Sequence, residues 1–122
     1  GLATMLAEAK AASEHFAAEE NVSVEWSHLW KIHPIPFDPA LLDMAEAAVL
    51  ETCGTSHRLP SGPLHDAAEV ARAGVPTVML FVQSLRGLSH AKEEDTREDH
   101  IALSVEALDR LASKAIDSLA GR

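Results

Sequence analysis

Two histidines carry most of the chemistry this sequence could perform. His65 stands in "LPSGPLHDA", next to Asp66 and following Ser61, and His90 stands in "GLSHAKEEDT", directly after Ser89. Imidazole and carboxylate are donors that zinc and related ions accept, and imidazole also exchanges protons near neutral pH. Two such histidines could be parts of one active centre, or ordinary residues at the ends of secondary-structure elements. Spacing alone closes no metal site. There is no HExxH and no CxxC, so a self-contained zinc centre built from His57, His65, Asp66 and His90 has little support. Nucleophilic catalysis fares no better, because Ser61 lacks the GxSxG elbow and Cys53 falls where a small buried helix residue belongs. Glycine-rich phosphate loops are absent as well.

The elements around these residues follow from periodicity. Leu2, Met5, Leu6, Ala9 and Phe16 recur at helical spacing, predicting a helix from Leu2 to about Glu20 that Asn21 can stop in a left-handed conformation. "NVSVEWSHLWKI" alternates and predicts a strand with an aromatic face, on which His28 reads as a packed or hydrogen-bonded residue. "HPIPFDP" holds three prolines in seven residues, which favours an extended connector and marks a candidate domain boundary. Asp38 followed by Pro39 predicts a helix start, with the helix running to about Cys53 and stopped by Gly54.

"GTSHRLPSGP" reads as a loop, after which Ser61 or Gly62 before Pro63 opens a helix with His65 and Asp66 in its first turn and Gly74 at its end. "VPTVMLFV" does not alternate cleanly and reads as a buried strand of a parallel-type sheet. "QSLRGLSHAKEEDT" would then be the loop at that strand's C-terminal end, where ligands bind in open α/β sheets. Thr96 with Asp99 forms a near capping box, and Ile101, Val105, Leu108, Leu111, Ala112, Ile116 and Leu119 make the apolar stripe of a terminal helix. The order of elements predicts an α/β fold.

Composition excludes some partners. A formal charge of -9 opposes the counterion release that drives nucleic-acid binding, and no basic stripe is present. The longest apolar run, Val75 to Val82, is far short of the roughly 20 residues a membrane helix needs. The single Cys53 cannot form an internal disulfide, which fits a cytoplasmic location. At 122 residues the chain suits one modest core. It opens on Gly1 with no export-signal pattern, and its beginning reads as cut.

"PIPFDP", "LPSGPLHDA", "VPTVMLFV" and "GLSHAKEEDT", in this order and at these separations, resemble the C-terminal third of the M20-type metal-dependent amidohydrolases of the hydantoinase/carbamoylase group. That group includes N-carbamoyl-L-amino-acid hydrolases, allantoate amidohydrolases and β-ureidopropionases. The resemblance implies a subunit in which a small α/β dimerisation domain interrupts an α/β catalytic domain. Residues 1–33 would be the C-terminal remnant of the first, and residues 34–122 the closing segment of the second. It implies two divalent metals per subunit, zinc foremost with manganese, cobalt or nickel as alternatives, not held by this stretch alone.

By the same resemblance His90 is the final metal ligand, and His65 is a catalytic and substrate-binding residue close to the metals. Gly87 and Ser89 are further substrate contacts, and Asp66 either orients a neighbour or is simply a carboxylate favoured at a helix N-terminus. Leu64 stands where the family commonly has glycine, and Ala91 where it often has asparagine or serine, which touches substrate contacts rather than the metal role of His90. The remaining ligands, the general base and the arginine for the substrate carboxylate belong upstream. The resemblance thus implies a fragment, inactive by itself, of a cytoplasmic homodimeric enzyme that uses a metal-activated water to cleave the C–N bond of a small carbamoyl or ureido compound. Two other readings compete: a non-catalytic interaction or structural module, and a self-contained mononuclear metal protein.

Overall fold

The computed structural model describes residues 1–121. They fall into two compact units, which divide between His33 and Pro34, at the start of the proline-rich stretch.

The first unit is built on α1, Leu2–Glu19. Its alanines, leucines, glutamates and lysine are good helix formers. Asn21 ends the helix at φ 53, the left-handed conformation that asparagine tolerates better than most residues, and the Val22 N–H closes the turn on the Ala17 carbonyl at 2.9 Å. The segment after Asn21 forms no regular element. The Trp26 indole N–H nevertheless donates to Ser13 Oγ at 2.7 Å, holding the segment beside α1. Within this unit Ala17 is the buried residue, while Leu2, Phe16, Leu29 and Trp30 are exposed.

The second unit is organised by two helices, α2 (Pro39–Cys53) and α4 (Glu98–Ala120), with the short α3 (Asp66–Arg72) and a 3-10 turn (Leu85–Gly87) between them. The start of α2 is capped by Asp38, whose Oδ1 accepts the Leu41 N–H at 2.9 Å, with Pro39 where no donor is needed. Its end is set by Gly54 at φ 72, where a Cβ would be strained. Ala45 and Ala48 let α4 approach closely; with Leu111 they form the buried core, and Met44, Val78 and Leu80 pack on it. Across one edge of this pair Lys114 Nζ donates to Glu51 Oε1 at 2.8 Å, with Arg110 3.7 Å from the same carboxylate. Among the described residues no helix is long and apolar enough to cross a membrane.

The α/β expectation is overturned: the described elements are all helical, with no strand. A strand is a property of pairs, because its N–H and C=O groups are satisfied by a neighbouring ladder. "NVSVEWSHLWKI" and "VPTVMLFV" have strand composition, but neither is paired in a ladder among the described residues; in the second, the Thr77 carbonyl accepts one cross-segment bond, from the Asp38 N–H at 3.1 Å. Val78 and Leu80 do find apolar contact on the helix pair, yet Val75, Phe81 and Val82 stay exposed, so the run is not the fully buried strand its composition suggested. Smaller corrections concern burial and helix starts. In α4 the buried positions are Ala107 and Leu111, and the other stripe residues Ile101, Val105, Leu108, Ala112, Ile116 and Leu119 are exposed. Cys53 is exposed at the end of α2, not buried. The helix carrying His65 starts later than Pro63, with His65 itself as the N-cap. Arg97 takes the N-cap of α4, without a side-chain capping bond from it.

Candidate active site

Before α3, the chain from Ser56 is tied down to α2 by Arg58. Its Nη2 lies 2.5 Å from Asp43 Oδ1 and 2.6 Å from Glu46 Oε2, and its Nε lies 2.9 Å from Glu46 Oε2. Hydrogen bonds to Asp43 and then Glu46 push this guanidinium above its already high ordinary value. The anchored residue leads directly into Leu59–Pro63, which forms one wall of a pocket of about 530 Å³. His65 and Phe81 form another part, and Ser89, His90 and Glu94 the third.

His65 occupies the N-cap of α3 at φ -125, ψ 151, and its carbonyl accepts the Ala68 N–H at 2.9 Å. Serine, threonine, aspartate and asparagine are the usual choices there, because their side chains can satisfy a helix N–H. The His65 ring makes no such bond. It turns instead to Ser61, with Nε2 2.7 Å from Oγ, and lies edge-on to Phe81 with centroids 5.9 Å apart. Ser61 Oγ is also 3.1 Å from the Pro63 carbonyl. A hydroxyl has one proton, so if Ser61 donates to that carbonyl, His65 must donate from Nε2 and keep its acceptor lone pair on Nδ1.

His90 is held differently. Its φ of 58 lies in the left-handed region. The His90 backbone N–H donates to Glu94 Oε2 at 2.8 Å, and Ser89 Oγ lies 2.7 Å from ring Nδ1. With Nδ1 engaged, Nε2 is the ring nitrogen open to a ligand, and a second-atom hydrogen bond of this kind fixes the tautomer of metal-bound histidines. The turn is closed by Glu94 N–H on the Ala91 carbonyl at 3.0 Å and by Leu85 N–H on the Asp95 carbonyl at 2.7 Å.

The pocket therefore brings together His65, Ser89 and His90 from two loops well separated in sequence. Gly87 does not line it; at φ 67 it ends the 3-10 turn, where glycine's freedom is needed. Asp66 opens α3 as an acidic first-turn residue, favourable at a helix N-terminus. Sequence reasoning missed Glu94 and Phe81, and weighed Ser61 as a helix start and as a nucleophile but not as the partner of His65. The position of Glu94 four residues after His90 was the available signal, because a turn brings such residues close. Among the described residues no three histidine, cysteine or carboxylate groups come together as a metal site. His90 has one ring nitrogen held and one open, the disposition a single metal ligand would need.

A model of the family described as peptidase family M20/M25/M40 matches residues 3–114. Allantoate amidohydrolase of Bacillus subtilis strain 168 is 36% identical over 84 residues, covering 69% of this chain and 20% of that protein. N-carbamoyl-L-amino acid amidohydrolase of Geobacillus stearothermophilus is 30% identical over 96 residues, covering 79% of this chain and 23% of that protein. The matched region is thus about a fifth of the length of these curated relatives. No solved structure matches the chain.

Proposed function

The chain belongs to peptidase family M20/M25/M40, and from that premise we propose that it contributes the His65 and His90 turns to a divalent-metal amidohydrolase that cleaves the C–N bond of N-carbamoyl amino acids or related ureido compounds. The observation that carries this reading is the convergence of the two histidines on one pocket, each ring fixed by a serine through one nitrogen. The names of the relatives support the substrate class, since one acts on allantoate and another on N-carbamoyl-L-amino acids.

A bound divalent metal, zinc first and manganese, cobalt or nickel otherwise, would polarise the scissile carbonyl and make water acidic enough to attack near neutral pH. His90 would hold it through Nε2, with Ser89 fixing the ring. His65 would accept a hydrogen bond from the substrate at Nδ1 or, once protonated there, donate to the charge that develops on the substrate carbonyl oxygen, and Phe81 would shield that contact from water. Ser89 is thereby assigned to His90 rather than to substrate. On the same reading residues 1–33 belong to the dimerising part of a cytoplasmic homodimer, and the residues from Pro34 onward to its catalytic part.

The test is to purify the full-length protein and measure ammonia release from N-carbamoyl amino acids and allantoate, before and after chelation and zinc repletion. Metal-dependent release from at least one of these classes is expected. Metal-independent release, or none from any carbamoyl or ureido compound with metal bound, overturns the proposal. The present chain alone should lose zinc on dialysis and show no activity; one tightly held zinc per chain would favour the self-contained metal protein.

A further inference from the structure

His90 takes a backbone conformation that residues bearing a Cβ seldom adopt, and something must hold it there. Its φ is 58, in a stretch where Arg86 at 59 and Gly87 at 67 are also left-handed. Left-handed backbone is disfavoured for L residues by contact between Cβ and the following carbonyl oxygen. A turn with this much unfavourable geometry persists when surrounding bonds over-determine it, and such turns cluster at functional sites.

The bonds around His90 converge on Glu94. Its carboxylate accepts the His90 backbone N–H at 2.8 Å, and its own N–H donates to the Ala91 carbonyl at 3.0 Å, so one residue closes the turn from both its side chain and its backbone. A carboxylate accepting a backbone N–H is among the stronger hydrogen bonds available to a peptide group. Its neighbour Glu93 faces Lys92 instead, at 3.5 Å. Glu94 also borders the same pocket as His90.

We propose that Glu94 is a positioning residue: by holding the His90 backbone in the left-handed turn, it presents the imidazole to the pocket with Nε2 open. The inference rests on the reading of His90 as a metal ligand. Glu94 acts through His90 and touches neither metal nor substrate. The distinction is chemical. An acceptor of a backbone N–H can be replaced by the carboxamide oxygen of glutamine, whereas a carboxylate bound to a cation cannot be replaced without losing its charge.

The experiment is zinc competition against a chromophoric chelator on the full-length protein, comparing Glu94→Ala, Glu94→Gln, Glu93→Ala and His90→Ala, with the thermal midpoint of each metal-stripped protein recorded. Glu94→Ala is expected to weaken one zinc about 10-fold or more, the scale for losing a group that orients a ligand. The other zinc, KM at saturating metal and the metal-free midpoint should be unchanged. Glu94→Gln should restore affinity, and Glu93→Ala should match wild type. If the alanine variant is too unstable to purify, Glu94→Met keeps the length without an oxygen acceptor and should behave in its place. Unchanged affinity in Glu94→Ala or Glu94→Met, while His90→Ala weakens one zinc, overturns the positioning role alone. Loss of zinc in Glu94→Gln as severe as in Glu94→Ala makes Glu94 a ligand and overturns it as well. Full retention of both metals by His90→Ala overturns the ligand reading of His90, and this inference with it.

Discussion

The two histidine-bearing turns solve the same problem, fixing an imidazole at the edge of a pocket, by opposite means. His65 has ordinary extended backbone, is half-buried, and rests edge-on to Phe81, with Nε2 engaged by a serine four residues earlier. His90 has left-handed backbone, is exposed, and has Nδ1 engaged by the serine immediately before it. On the proposed reading, the difference separates two kinds of work. A partly shielded ring with a fixed partner suits a hydrogen bond to a reacting group, because exclusion of water strengthens that bond. An exposed ring with an open Nε2, held chiefly through its own backbone, suits a ligand that other donors must join.

The largest effects should come from breaking each turn at its histidine in the full-length protein. His90→Ala should abolish most activity by weakening one metal, and excess metal should restore part of it. His65→Ala should retain both metals while kcat falls roughly 100-fold, the scale for losing a positioned acid-base or electrostatic group. Elemental analysis beside steady-state kinetics distinguishes the two. If His65→Ala strips metal while His90→Ala leaves it bound, the assignment is reversed; if neither variant changes metal or rate, both histidines are ordinary loop residues.

Smaller effects should follow from the serines, and they should differ in kind as the histidines do. Ser89→Ala frees His90 Nδ1 and should reduce the affinity of one metal about 10-fold, with little change in KM at saturating metal. Ser61→Ala frees His65 Nε2 and should leave metal affinity intact while lowering kcat, by less than removal of the histidine itself. A Ser61→Ala variant that loses metal, or a Ser89→Ala variant that changes only kcat, would erase the contrast between the turns.

How much of this was legible in the sequence depends on how local each feature is. Asp38 with Pro39, Gly54 and Asn21 act within a few residues, and the structure places all of them as cap, stop and left-handed turn. The quoted motifs around His65 and His90 were legible as a family resemblance, which the match over residues 3–114 bears out. The strands were not legible, because composition reports a preference for burial while a strand requires a partner. The buried side of α4 was legible only in part: Leu111, a member of the apolar stripe, is buried with Ala45 and Ala48, while the small Ala107, which a count of larger side chains passes over, is buried as well. Glu94 escaped because its spacing four residues after His90 gains meaning only with the left-handed backbone at His90, which no residue type announces.

The smallest expected effect separates the scaffold from both turns. Glu51 bridges α2 and α4, and the Lys114 hydrogen bond, aided by the nearby Lys114 and Arg110 charges, holds its carboxyl below the ordinary value of 4.5. A carboxyl depressed in the folded state binds its proton more readily when unfolded. Its contribution is therefore complete above pH 4.5 and is lost as pH falls from there through the lower folded value. Because the bridge is half-exposed and screened by salt, its loss should move the thermal midpoint only slightly. Glu51→Gln should accordingly lower the midpoint a little at neutral pH, make its fall below pH 4.5 shallower than in wild type, and leave metal affinity and kcat unchanged at neutral pH. Midpoints measured across that acid range at two salt concentrations provide the check. If Glu51→Gln instead lowers kcat or releases metal at neutral pH, the helix pair is coupled to the histidine turns, and their contrasting behaviour can no longer be assigned to the turns alone.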